Sequence, residues 1–106
     1  MTEMTKLIEL LHPGNYSCVV ENRYGLHTFG RRGVADLYEV YREHAEWLDH
    51  ASLADKVIGK GAAALMVLGG VERVYADVIS TPALTLLQEA KIAVTFGQEV
   101  PRIENR

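Results

Sequence analysis

Cysteine is almost missing from this sequence. Cys18 is the only one in 106 residues, so no intrachain disulfide can form. That excludes a small secreted scaffold stapled by disulfides and fits a reducing, cytoplasmic setting. An excess of positive charge is missing too. Lys and Arg number 11 against 14 Asp and Glu, a formal net charge of −3. General nucleic-acid binding depends on clustered phosphate contacts, and this balance has the wrong sign for it. Long apolar runs are also lacking. The longest, residues 62–68, falls far short of the ~20 residues of a membrane span, so no membrane partner is expected. Glu3, Lys6 and Glu9 interrupt the first residues, and no basic stretch precedes a continuous apolar one. A signal peptide is therefore not expected.

What is present is ordinary for a globular protein, with 48% apolar and 24% charged residues. The length suits one domain over residues 1–106. A chain of this size buries roughly two-thirds of its unfolded surface, enough for a core without metal or disulfide.

Periodicity and turn residues divide the chain. Met4, Leu7, Ile8 and Leu11 recur at helical spacing until His12-Pro13-Gly14 stops them. Residues 16–21 (YSCVVE) alternate, Asn22, Arg23 and Gly25 supply a turn, and residues 26–29 resume, so a hairpin is expected. After Gly30-Arg31-Arg32-Gly33, the stripe Val34, Leu37, Tyr38, Tyr41, Ala45, Leu48 predicts an amphipathic helix of about four turns. Asp36, Glu39, Glu43 and Glu46 fall on its other side. Residues 52–58 read as a strand and residues 62–68 as a short helix, apolar or small all round and so buried. Residues 73–79 form the next strand. Ser80-Thr81-Pro82 starts a helix with a hydroxyl cap and an early proline. Residues 92–96 read as the last strand, and residues 99–106 show no period.

Strands that alternate with helices imply parallel crossovers. The expected fold is therefore α/β, a three-layer α/β/α sandwich. Its mixed sheet has about five strands, with the N-terminal hairpin as an antiparallel edge.

This order is that of the cytidine-deaminase-like fold. The segment Ala54-Asp55-Lys56-Val57-Ile58-Gly59-Lys60-Gly61-Ala62-Ala63-Ala64 resembles the signature of an uncharacterised family of small prokaryotic proteins, a "domain of unknown function" family placed among deaminase-like folds. Gly69-Gly70-Val71, Val74-Tyr75-Ala76, Ile79-Ser80 and the stretch from Val100-Pro101 to Asn105-Arg106 are similar to it as well, so the likeness runs from about Leu11 onward. Two departures stand out. Family members often continue beyond the Asn-Arg pair into a Cys-Pro-Met-Glu segment, whereas this sequence ends at Arg106. Members also tend to carry Lys-Pro where this chain has Ala35-Asp36. The resemblance implies a fold and no established activity.

A zinc deaminase requires H-x-E and P-C-x-x-C at the starts of two neighbouring helices. Those starts correspond here to Arg32-Gly33-Val34 and Gly59-Lys60-Gly61, and neither holds a ligand. His44-Ala45-Glu46 spells H-x-E, but it sits far along its helix and no cysteine pair completes it. No zinc chemistry and no cofactor are expected.

Basic residues and glycines stand where the metal would be. Helix N-termini expose N–H groups and a partial positive charge, and two side by side suit an anion. The expected site comprises Arg31, Arg32, Gly33, Asp55, Lys56, Gly59, Lys60 and Gly61. Its ligand would be a small anionic metabolite, nucleotides included. Gly59-Lys60-Gly61 is not a Walker loop, and a tight strand-to-helix turn explains the glycines equally well. Asp55 and Lys56 point to opposite faces of a strand. The alternatives are that Asp55 pairs with Lys60, that Lys56 enters the site, or that the two are only charges at a strand end.

Other chemistries have less support. Cys18 shares a strand face with Tyr16 and Val20 and reads as buried, whereas a reactive thiolate needs an electropositive, partly exposed setting. The histidines His12, His27, His44 and His50 show no ligand spacing, and Ser80 is explained by capping. An enzyme using Lys60, Asp55 or Cys18 has no reaction signature behind it. Val40 and Trp47, seven residues apart, fall opposite the expected core stripe. An exposed Val–Trp ridge there would make the chain a homo-oligomer or a protein-interaction module without a small ligand.

Overall fold

A computed structural model describes residues 3–13, 16–30 and 34–103. In chain order the elements are α1 (Glu3–Leu11), β1 (Cys18–Asn22), β2 (Gly25–Phe29), α2 (Ala35–Glu43), a 3-10 turn (Ala45–Trp47), β3 (Ser52–Ile58), α3 (Lys60–Gly69), β4 (Arg73–Ser80), α4 (Thr81–Glu89) and β5 (Ala93–Val100). The sheet order is β2-β1-β3-β4-β5. The β1 strand runs antiparallel to both β2 and β3, while β3, β4 and β5 are mutually parallel. This is the expected mixed five-stranded α/β sheet, with helices on both faces.

The two faces carry unequal loads. One helix, α1, covers the first face, where Leu7 and Leu11 pack fully buried on Val19 and Ala54 with Tyr16 and Tyr75 around them. Burying a leucine contributes about 1.5–3 kcal/mol. Polar contacts fix the ends of α1. Lys6 Nζ donates to Glu21 at 2.9 Å, and His12 Nε2 lies 2.7 and 3.0 Å from the two Asp77 oxygens. Tyr75 also donates to Asp77 at 2.7 Å, a bond that pushes its phenol up to about 12. The opposite face holds the main core. There Leu37 and Val40 of α2, Ala63 and Met66 of α3, and Ala83 and Leu87 of α4 pack on Leu53, Val74 and Ala76.

Local chemistry explains the boundaries. Asn22 Oδ1 accepts the Tyr24 N–H at 2.8 Å, which closes the hairpin, and Asn22 Nδ2 donates to the Trp47 carbonyl at 2.7 Å. Gly70 ends α3 in the left-handed region at φ 85. Its N–H reaches Met66 O at 3.0 Å and Val71 follows to the same carbonyl, a Schellman closure. The hydroxyl of Ser80 accepts the Ala83 N–H at 3.2 Å and caps α4, as the sequence suggested.

Three expectations are corrected. The helix from Val34 does not run four turns. It ends at Glu43, where His44 leaves helical geometry, and the chain tightens into the 3-10 turn. Its buried residues are Asp36, Leu37 and Val40, so the core face is rotated from the expected stripe and Tyr38 is exposed. The α3 helix is not buried all round, since Leu68 is 65% exposed. Finally, β5 extends to Val100, because pairing with β4 continues beyond Phe96. Among the described residues, no helix is long and apolar enough to cross a membrane.

Candidate functional site

The parallel strands deliver their carboxyl ends to one edge of the molecule, where ligands bind in open α/β sheets. Antiparallel pairing brings more of the chain to the same edge. Phe29 at the end of β2 lies opposite Cys18 at the start of β1, and Cys18 lies opposite Asp55 of β3. The segment from β2 to α2 therefore leaves the sheet beside the point where β3 turns into α3. Arg31, Arg32 and Gly33 belong to that segment and lie outside the described residues.

The α3 start is described in full. Gly59, extended at φ −97, is its N-cap and supplies no side-chain cap. Lys60 and Gly61 are exposed in the first turn, while Gly59 is buried beneath them. No carboxylate occupies that first turn. Val34, the N-cap of α2, provides no side-chain cap either. Among the described residues, neither N-cap side chain supplies the acceptor that normally satisfies a leading N–H group.

Behind α3 lies a buried acid. Asp55 is 6% exposed and accepts the Val57 N–H at 3.2 Å. The Cys18 thiol also hydrogen-bonds to it. Burial raises the carboxyl to about 7, against the opposing pull of those hydrogen bonds. Of the alternatives open from sequence, the Asp55–Lys60 pair does not form, and Asp55 instead hydrogen-bonds to Cys18 across the strand pair. Lys56, on the other strand face, is half-buried and makes contacts of its own. Cys18 is buried as expected. Burial, and then the charges of Asp55 and Asp36, push its thiol well above its ordinary value, which leaves it protonated and unreactive.

The structure adds a groove that the sequence reading missed. A cavity of about 440 Å³ lies between the end of β2, α2 and the 3-10 turn, lined by Phe29, Asp36, Glu39, Val40, Glu43, His44 and Trp47. Asp36 was expected on the solvent side, yet it is buried in the first turn of α2. Trp47 is half-buried. Its ring lies between His27, 4.1 Å away at 14°, and His44, 4.3 Å away at 9°. The expected exposed ridge of Val40 and Trp47 is absent, because α2 ends between them and Val40 is only 4% exposed. A stacking arrangement between residues 20 apart in sequence leaves no local signal.

Zinc does not fit this site. The described starts of α2 and α3 hold no imidazole or thiol, Cys18 is committed to the buried strand pair, and His44 stacks on Trp47. Among the described residues, no group of three or more His, Cys, Asp or Glu has the geometry to hold a metal ion.

Comparison with known proteins agrees with the architecture. A family model described as a domain of unknown function (DUF1893) matches residues 6–106. The crystal structure of a DUF1893 family protein from Thermotoga maritima superposes with a TM-score of 0.85 at 19% identity, covering 97% of this chain and 69% of that one. A diaminohydroxyphosphoribosylaminopyrimidine deaminase/5-amino-6-(5-phosphoribosylamino)uracil reductase from Thermotoga maritima is similar at a TM-score of 0.54 and 16% identity, covering 91% of this chain and 35% of that one. At such identities the likeness is one of fold. No curated protein matches the chain.

Proposed function

The chain belongs to the DUF1893 family of unknown function, and from that premise we propose that it binds a small anionic ligand, of the nucleotide or sugar-phosphate class, at the start of α3. The observation that carries this reading is the uncapped first turn of α3, which has an exposed lysine, flanking glycines and no carboxylate. Glycines let a phosphate approach the leading N–H groups, and the helix end favours negative charge. Lys60 supplies a mobile ammonium. Asp55, immediately behind, carries its proton below pH about 7 and does not repel the anion there. The deaminase/reductase that shares the fold is named for phosphoribosylaminopyrimidine chemistry, a substrate class that bears a phosphate. Arg31, Arg32 and Gly33 enter the proposal through the sequence alone.

No reaction is assigned. The chain has no zinc-deaminase donor set, and its one thiol is held protonated. A thermal-shift panel of nucleotides, ADP-ribose, sugar phosphates and inorganic phosphate tests the proposal. Ligand at 100 times its Kd stabilises by about 2.7 kcal/mol, a shift of about ten degrees for a domain of this size. Lys60→Ala should lose most of that shift and keep the melting temperature of the free protein. An equal shift in the variant removes the α3 start from consideration.

A further inference from the structure

The groove beside α2 is chemically unlike the anion site at α3. Its cavity of about 440 Å³ is the size of a site for a small organic molecule. Val40 is buried and Phe29 and Trp47 are half-buried, whereas Glu39 and Glu43 are exposed. The apolar groups therefore lie deeper and the two glutamates at the mouth. Asp36 lines the same cavity and is 7% exposed. Three carboxylates thus share the lining with an apolar interior, and no lysine or arginine joins them among the described residues. His27 gives an independent sign of an incomplete site. It precedes Phe29 by two residues, on the same face of β2, and stacks on Trp47. Its buried Nε2 has no hydrogen-bond partner, and a buried polar atom ordinarily has one.

The spacing of the acids narrows the ligand. Asp36, Glu39 and Glu43 follow one another at three and four residues along α2. At 1.5 Å per residue they stand about 4.5 and about 6 Å apart along the axis, on one face. Like charges at such spacings repel each other, and a bridging cation relieves that. Arg42 lies beside Glu43 at 3.4 Å, and Asp36 and Glu39 have contacts of their own. A carboxylate has about four acceptor sites, so a neighbour at one of them does not bar an incoming ammonium. Ammonium groups joined by three and four methylenes match the two intervals. The methylenes between them bring an apolar surface that can rest on Val40, Phe29 and Trp47 while the charges stay at the acids.

We propose that the α2 groove binds a linear aliphatic polyamine, whose ammonium groups pair with Asp36, Glu39 and Glu43 and whose methylene spacers pack on Phe29, Val40 and Trp47. This ligand is a cation, so the site does not depend on the anion site at α3.

Isothermal titration calorimetry with spermidine, on the whole chain at pH 7.5 and low salt, tests the proposal. Trp47 is the only tryptophan, so its emission gives a second readout at the groove itself. Spermidine should bind one to one, saturate and change that emission. Glu39→Gln and Glu43→Gln should each weaken binding about fivefold, the effect of one exposed charge pair. Both residues are exposed, so the variants should keep the fold by circular dichroism. Glu89→Gln, an exposed acid at the end of α4 and outside the groove, should leave binding unchanged. Butylamine carries one ammonium on a similar chain and should bind at least about tenfold more weakly. Spermidine that fails to saturate overturns the proposal. So does binding that Glu39→Gln and Glu43→Gln leave intact, binding that Glu89→Gln weakens as much, or butylamine that binds as tightly as spermidine.

Discussion

Asp55 makes the stability of this protein depend on pH in a direction opposite to that of most carboxylates. Its folded value is about 7, against an ordinary value of 3.8, because burial on β3, opposite Cys18 of β1, disfavours the ion. The folded state therefore holds a proton that the unfolded state releases. The stability contributed by Asp55 is complete below the unfolded value and declines as pH rises through the window from 3.8 to about 7. At about 1.4 kcal/mol per pH unit, that window corresponds to about 4 kcal/mol. Asp55→Asn removes the ionisation, keeps an oxygen to accept the Val57 N–H, and fits the same space. Urea denaturation followed by circular dichroism, on both proteins from pH 4 to 8.5, isolates this effect, because every other titrating group cancels in the difference. The variant should gain on wild type steadily across the window and end up to about 4 kcal/mol ahead of its relative position at pH 4. Parallel profiles would refute the reasoning and place an ionised, solvated Asp55 at the strand end.

Cys18 should react with an aromatic disulfide reagent far more slowly in the folded protein than in denaturant, and its rate should track global stability across variants. Fast labelling of native protein would contradict the buried, protonated thiol. Gly70→Ala forces a Cβ into φ 85 and against Asp49 Oδ1 at 3.2 Å, so it should cost about 1–2 kcal/mol in chemical denaturation. A cost near zero would refute the Schellman closure. Ser80→Ala should cost about 1 kcal/mol in chemical denaturation through loss of the α4 cap, and an unchanged midpoint would contradict the cap.

Much of the fold was legible because local signals agreed with the tertiary arrangement. The hairpin turn at Asn22 and Gly25, the Ser80-Thr81-Pro82 start and the apolar strands each specify their element within a few residues. The errors came where packing overrode a local pattern. The 34–48 stripe looked continuous, yet the chain bends at His44 so that Trp47 stacks between two histidines and Asn22 reaches its carbonyl. Gln98 fell past the expected end of the last strand and Glu99 in a stretch without period, but the parallel partner β4 continues to Ser80 and carries them along as strand. In the site, Gly59-Lys60-Gly61 could be placed at a helix start from sequence alone. The partner of Asp55 could not, because it depends on the antiparallel register that sets Cys18 opposite it. Asp36 was misplaced for a related reason, since a lone acid in a polar face reads as solvated until the groove beside it is known.

Backbone amide NMR of the isotopically labelled chain, titrated with inorganic phosphate and then a nucleoside monophosphate at pH 6.5, tests the central claim most directly. The account expects the largest shifts at the amides of Lys60, Gly61 and Ala62, saturating with ligand and absent in Lys60→Ala. Saturating shifts confined to Glu39, Glu43 and Trp47 around the α2 groove, or none at any concentration, would contradict it.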